Sequence, residues 1–386
     1  MNKIDRVDYP IKQLPSGDNL NLSLFRIEGK RPGPHIHIQA NVHGAELQGN
    51  AVIYHLMNYF SNHTFNGSIT FIPCANPAGV NSKLGTYTFG RFNPVTGNNW
   101  NRCYEDIMLR PKEAIGRTLK DFVALNLDTA WSELKEKYKK FIFDCLKDYE
   151  SFLGNKAFND NKSLFLFLQK VASTADIVLD LHTGPISTQY IYSALYQKES
   201  VVNFHFPFVL NIPNEFGGAM DEATFMPWIH LQNVFKDHGK DIPCEFEGYT
   251  IELGSEERIS ILDAWQDTQK ILSYLGGKGV IDNPDFDFER PLQRHCLLKD
   301  YRTYYAPWGG LVDYHKRPGD LISKDETIAS FLNFKNVTSD SGMGNALKEL
   351  KAENDCFVIN HCPSGSVSKG MELYQVMENY QEILPA

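Results

Sequence analysis

The 386-residue sequence predicts an α/β protein: a mostly parallel, mixed sheet flanked by helices, followed by a small β-rich C-terminal domain. Two observations lead there. From about residue 35 to 260, short apolar runs rich in Val, Ile and Phe alternate with helix-length amphipathic segments, the pattern of parallel strands joined by crossover helices. From about residue 290 the texture changes to short strands broken by Pro307 to Gly310 and Arg317 to Asp320, with no clear long helix.

In order along the chain, residues 35–42 read as a strand and 46–60 as a helix whose Leu47, Val52, Ile53, Leu56 and Phe60 recur at helical spacing. Residues 68–74 read as the next strand, ending at Asn76-Pro77. Residues 102–176 read as mostly helical. Their best segment begins near Asp128, a candidate N-cap, and carries Trp131, Leu134, Tyr138, Phe141, Cys145, Tyr149 and Phe152 along one stripe, which we read as packing. Strands resume at 176–181, 205–212 and 249–253. A helix over 261–275 stops at Gly276-Gly277, and Asn283-Pro284 starts a linker. The expected division is 1–285, with a helical insertion around 103–175, and 286–386.

Composition removes several function classes. The hydrophobic content of 42% suits one large core and a smaller one, and a net charge of −9 provides no broad basic surface for nucleic acid. No run approaches the ~18 apolar residues of a membrane span, and the first twenty residues lack the apolar core of a signal peptide, so a cytoplasmic protein is expected. Seven cysteines, scattered and without a C-x-x-C pair, argue for reduced thiols over a disulfide framework or a zinc knot.

The strongest local signal for chemistry is His43-Gly-Ala-Glu46, directly after the 35–42 strand. An imidazole and a carboxylate three residues apart can converge on one cation, and a distant third ligand would complete an open zinc site. Alone the pair is weak. Its position strengthens it, because His182, Glu252 and Asn76 also stand at or near the ends of apolar strands, and in an open parallel sheet those ends share one crevice. Glu252 in particular lies inside an apolar run, where a charge is costly unless paired or metal-associated. Zinc held by two His and one Glu keeps a position for water, and a nearby carboxylate can shuttle its proton to a leaving amine. Arginines can stabilise the oxyanion and grip a substrate carboxylate, and the Gly-, Pro- and Asn-rich segment from Arg91 to Arg102 offers both.

Taken in order, His43-Gly-Ala-Glu46, Asn76-Pro-Ala-Gly79, Arg91 with Asn101-Arg102, Asp180-Leu-His-Thr-Gly184 and Ile251-Glu-Leu-Gly254 resemble the zinc carboxypeptidase superfamily, and more narrowly its succinylglutamate desuccinylase/aspartoacylase branch. The resemblance spans roughly residues 35–260, and the tail is similar to the C-terminal domain of that branch. It implies a zinc-carboxypeptidase-like fold and Zn2+ held by His43, Glu46 and His182. It implies Glu252 as general base and acid, Arg91 polarising the scissile carbonyl, and Asn101 and Arg102 holding the substrate carboxylate. Two departures stand out. The position two before Asn101, commonly Asp in the branch, is Asn99, and Cys103-Tyr-Glu-Asp106 replaces an expected Phe-Pro-Gly turn. Both are expected to bear on the shape of the substrate pocket and not on the metal site. The substrate-facing tyrosine is left among Tyr190, Tyr192 and Tyr249.

The expected function is therefore zinc-dependent hydrolysis of an amide next to a carboxylate, with an N-acyl amino acid as the substrate class and a homo-oligomer as one possible assembly. A metallocarboxypeptidase acting on peptides and a non-catalytic ligand-binding protein are the alternatives. His35 and His37 are set aside as strand histidines satisfied by hydrogen bonds. Cys103 is set aside as a nucleophile for want of a paired histidine, and His361-Cys362 is read as a loop feature of the tail.

Overall fold

The computed structural model describes residues 1–157, 160–282, 286–288, 290–337 and 342–384, the side chains of 155–157 and 160 excepted. The linker expected at Asn283-Pro284 lies outside them. A large mixed sheet carries the fold. Its strands are β1 (Ile4–Gln13), β2 (Asn19–Glu28), β3 (Arg31–Ala40), β4 (Asn66–Ile72), β5 (Ile177–Gly184), β6 (Gln189–Ala194), β7 (Phe208–Ile212), β8 (Glu247–Ser255), β9 (Gln293–Leu297) and β10 (Gln381–Ile383). They lie in the order β1-β2-β4-β3-β5-β8-β6-β7-β9-β10. The centre, β4-β3-β5-β8, is parallel throughout. Antiparallel pairs enter at β1-β2, β2-β4, β8-β6 and β9-β10.

The central strands are buried on both faces, which is why they read as near-continuous apolar runs. All eight residues of β5 are buried. On one face, helices α1 (Gln48–Asn62) and, later in the chain, 263–277 place Val52, Ile53, Leu56, Phe60, Ile271 and Leu272 against Ile36, Ile38, Leu179 and Ile251. On the other face, α2 (Trp131–Ala157), α3 (Asp160–Ala172) and α4 (Met220–Asp237) share a second core with Val42, Ile72 and Val178. The mostly helical 103–175 stretch is thus part of the main body's packing.

Several boundaries differ from expectation for identifiable reasons. Helix α1 starts at Gln48, not Glu46, because residues 43–46 form a turn in which the Glu46 amide donates to the His43 carbonyl. Asp128 does not cap α2, which begins at Trp131; its carboxylate pairs with Lys240 at 2.6 Å instead. The 205–212 strand begins only at Phe208, since His205 has φ 55° and closes a 3-10 turn.

The C-terminal region is β-rich, with no α-helix among its described residues. It forms two small antiparallel sheets around a core that includes Ile328, Phe331, Val358 and Tyr374. Its ends are drawn into the large sheet as β9 and β10. Ile186–Ser187 also pairs with Cys356–His361, and Phe357, Ile359 and Met377 pack on Tyr190, Phe208 and Leu210.

Gly49 shows how closely α1 sits on the sheet: an added Cβ would lie 2.8 Å from Cβ of both Ala40 and Leu181. Gly49→Ala is therefore expected to lower stability by ~1–2 kcal/mol in denaturant unfolding, overpacking outweighing the helix propensity gained.

Candidate metal centre and active site

The carboxyl ends of β3, β5 and β8 lie side by side, and the polar residues singled out in the sequence meet there. His43 and Glu46 follow β3 on a turn held from behind by Asn41, whose side chain donates to the carbonyls of His43, Gly44 and Glu46. The two glycine-bearing motifs explain each other at this point, because a Cβ on Gly44 would fall 2.2 Å from the carbonyl carbon of Gly79. Asn76, considered as a crevice residue, is structural: its amide donates to the Val42 carbonyl and its oxygen accepts from the Gly79 amide.

Alternation along β5 puts Asp180 and His182 on one face, and β8 places Glu252 in register beside His182. Glu46 sits between the two imidazoles. Its Oε1 is 2.7 Å from His43 Nδ1, and its Oε2 is 2.7 Å from His182 Nδ1 and 3.1 Å from the Thr183 amide. All three side chains are buried, and one ligand atom from each lies within 4.8 Å of the others. Two imidazoles and a carboxylate converging on one point are the donor set that suits a divalent cation such as zinc.

Electrostatics reinforce the arrangement. Burial would raise the Glu46 carboxyl, yet the charges of His43 and His182 hold it well below its ordinary range. For His182 burial opposes the proton, but Asp180 and Glu46 together keep its pKa well above normal. Glu252 is pushed up to about 7, first by burial and then by the Glu46 charge, and its Oε2 has no hydrogen-bond partner among the described residues. A carboxylate poised near neutrality beside a candidate cation site can take and return a proton.

Arg91 approaches from the opposite loop, its Nη2 3.3 Å from Glu46 Oε1. Asn101 Nδ2 lies 3.4 Å from His182 Nε2, while its oxygen accepts from the Met220 amide. Arg102 donates to the Asn101 carbonyl at 2.6 Å and lines the same cleft. All seven residues singled out for the site are therefore gathered at one place. The cleft above them measures about 880 Å³. Its far wall comes from the C-terminal region, through Tyr301, Asn360, Cys362 and the stretch from Met371 to Gln375. Among the described residues, the helices of 103–175 contribute none of its lining.

Tyr190 and Tyr192 face the cleft, and Tyr249 does not. On the opposite face of β8 from Glu252, its hydroxyl donates to Glu247 at 2.8 Å in the core. His35 and His37 are occupied by hydrogen bonds to Thr174, Thr70 and Gln39, and the Cys103 thiol donates to the Asn99 carbonyl. Two contributors were missed, Tyr301 and Asp221, and the place of a third, Asn99, was misjudged. Nothing local marks Tyr301 or Asp221, which reach the cleft through the topology. Asn99 was expected to affect only the pocket, but its Oδ1 lies 2.9 Å from His43 Nε2.

Comparison with known proteins places the chain in a family. A family model described as the succinylglutamate desuccinylase/aspartoacylase catalytic domain matches residues 32–133. A succinylglutamate desuccinylase/aspartoacylase family protein of Shewanella amazonensis, of known structure, is 37% identical, covers 98% of this chain and 100% of its own, and superposes with a TM-score of 0.89. The chain belongs to the succinylglutamate desuccinylase/aspartoacylase family. A second such protein, from Shewanella frigidimarina, is 36% identical over 100% of both chains with a TM-score of 0.90. An ectoine utilization protein of Ruegeria pomeroyi shares the fold, with a TM-score of 0.65 at 14% identity over 97% of this chain and 94% of its own. No curated protein sequence matches the chain.

In this family member the buried Glu252 has a measurable signature in the metal-free state. Folded, its carboxyl keeps a proton up to about pH 7, whereas an ordinary carboxyl releases it near 4.5. The folded state thus binds more protons across that window, and stability falls as pH rises through it. Glu252→Gln removes the charge, so in denaturant unfolding the metal-free variant should be more stable than wild type at pH 8, by at most ~3 kcal/mol, with the gap closing near pH 4.5.

Proposed function

We propose that this protein is a zinc-dependent hydrolase that cleaves an amide bond adjacent to a carboxylate, and that its substrate is an N-acyl amino acid. The observation that carries the reading is the convergence of His43, Glu46 and His182 beneath a cleft that also presents the unpartnered oxygen of Glu252. His43, Glu46 and His182 would hold the ion. A bound zinc supplies a water of lowered pKa and a Lewis acid.

The chain's own residues then divide the remaining work. Glu252 accepts a proton at its free oxygen and returns it to the leaving nitrogen. Burial beside Glu46 keeps it basic enough for the first task and acidic enough for the second. Arg91, on the Glu46 side of the cleft, provides positive charge where the carbonyl oxygen becomes negative. Asn101 and Arg102 hold the substrate carboxylate and so orient the amide. In this reading residues 1–285 carry the metal centre, and residues 286–386 restrict what enters. A wall built from the C-terminal region favours a small acylated amino acid over a peptide, since a cleft of about 880 Å³ is of small-molecule size.

Two experiments test this. Elemental analysis of purified protein should find about one zinc per chain, and Glu252→Gln should keep that zinc while losing at least ~100-fold in kcat. Metal-free wild-type protein, or a glutamine variant of unchanged turnover, would sink the reading. A panel of N-acyl amino acids and short peptides with zinc-loaded enzyme should show turnover of the former, and Arg102→Leu should raise KM with less effect on kcat. Preferential release of C-terminal residues from peptides would point to a carboxypeptidase instead.

A further inference from the structure

The two imidazoles that face Glu46 are held from behind by different chemistry. His182 Nε2 lies 2.8 Å from Asp180 Oδ2, a fully buried carboxylate whose other oxygen accepts from Gln39 at 3.1 Å. His43 Nε2 lies 2.9 Å from the side-chain oxygen of Asn99. One support is an anion and the other a neutral amide.

The identity of the Asn99 atom follows from its second partner. The same atom receives the backbone amide of Asn101 at 2.8 Å. A backbone N–H only donates, so the atom it meets is the oxygen, and that oxygen also accepts from His43 Nε2. His43 Nε2 therefore carries a proton whatever the state of Nδ1. The lone pair of a neutral His43 is thereby fixed on Nδ1, the nitrogen facing Glu46.

Asn99 is itself well anchored. It forms a β-bridge with Phe92, and its carbonyl accepts from the Arg102 amide at 3.2 Å and the Cys103 thiol at 3.4 Å. Its side chain joins two functions, since one oxygen ties His43 to the residue that begins the Asn101-Arg102 pair.

We propose that Asn99 is a positioning residue that sets the tautomer of His43 through a neutral hydrogen bond and thereby limits how tightly the centre holds its ion. The proposal rests on the metal-binding reading above. A carboxylate behind a metal-bound imidazole raises its basicity, whereas an amide orients the ring without adding charge, and loss of such a partner costs roughly 10–100-fold in affinity. Asp180 gives His182 the first kind of support, and Asn99 gives His43 the second.

Asparagine-to-aspartate exchange separates this role from a purely structural one. The carboxylate of Asn99→Asp would still accept from the Asn101 amide, so a loop-shaping role predicts no change in metal binding. Competition titration of the full chain against a chromophoric zinc chelator should instead show Asn99→Asp binding zinc roughly tenfold tighter than wild type and Asn99→Ala roughly 10–100-fold weaker. Affinities of Asn99→Asp and Asn99→Ala both within about twofold of wild type, with unchanged unfolding temperatures, would overturn the proposal; if the alanine variant fails to fold, the aspartate variant decides alone. Nitrogen-15 NMR of the metal-free protein gives an independent readout, with His43 expected to carry a proton at Nε2 in wild type, alongside any proton on Nδ1, which lies 2.7 Å from Glu46. A His43 protonated only at Nδ1 would overturn the role of Asn99, whereas wild-type protein that binds no zinc would overturn the metal reading and leave the NMR result to judge Asn99.

Discussion

A carboxylate with 1% exposure has to be neutralised where it stands, and at Glu46 the chain does so with two imidazoles, a guanidinium and a backbone amide. That requirement organises the surrounding architecture. The imidazoles come from the ends of adjacent parallel strands, the guanidinium from a loop that folds back over them, and the amide from the residue after His182. Moving any of these by an ångström would leave a buried charge poorly paired. The close backing of Gly44 on Gly79 and the triple grip of Asn41 are the features that keep the turn in place.

The same crowding accounts for the chemistry of Glu252. It lies close to the buried Glu46 and Asp180, and their charges add to the effect of burial in keeping its proton on. Neighbouring carboxyls thus end up with opposite tendencies: Glu46 is held ionised by imidazoles, and Glu252 is pushed up to about 7 by burial and then by the Glu46 charge. Separation of this kind lets one acid serve as a fixed anchor while another moves protons.

Much of this was legible in the sequence because parallel strands buried on both faces leave conspicuous apolar runs, and the polar residues that end such runs have few other places to go. His43, Glu46, His182 and Glu252 were found that way. Asp180 was also within reach, since a residue two before His182 on a strand must share its face. The edge was harder. Nearly all of β1 is exposed, so it carries no inward-outward alternation, and neither it nor β2 was assigned. Helix starts slipped where tertiary demands outweighed local preference, as when Glu46 left the helix to face the histidines. The cleft wall from the C-terminal region depends on chain topology, and no local pattern encodes that. Asn99 was noticed as a departure but expected to bear on the substrate pocket alone, because only the folded loop shows its oxygen meeting His43.

The C-terminal region leaves the large sheet through β9 and returns to it through β10, and these two strands pair with each other at the sheet's edge. Anchored at both ends, it behaves as a bracket and not as a flap on a single hinge. It cannot be shed without uncovering the open edge of β7, whose unpaired backbone groups would invite association with other chains. The far wall of the cleft is thus carried by a segment riveted to the sheet at both ends.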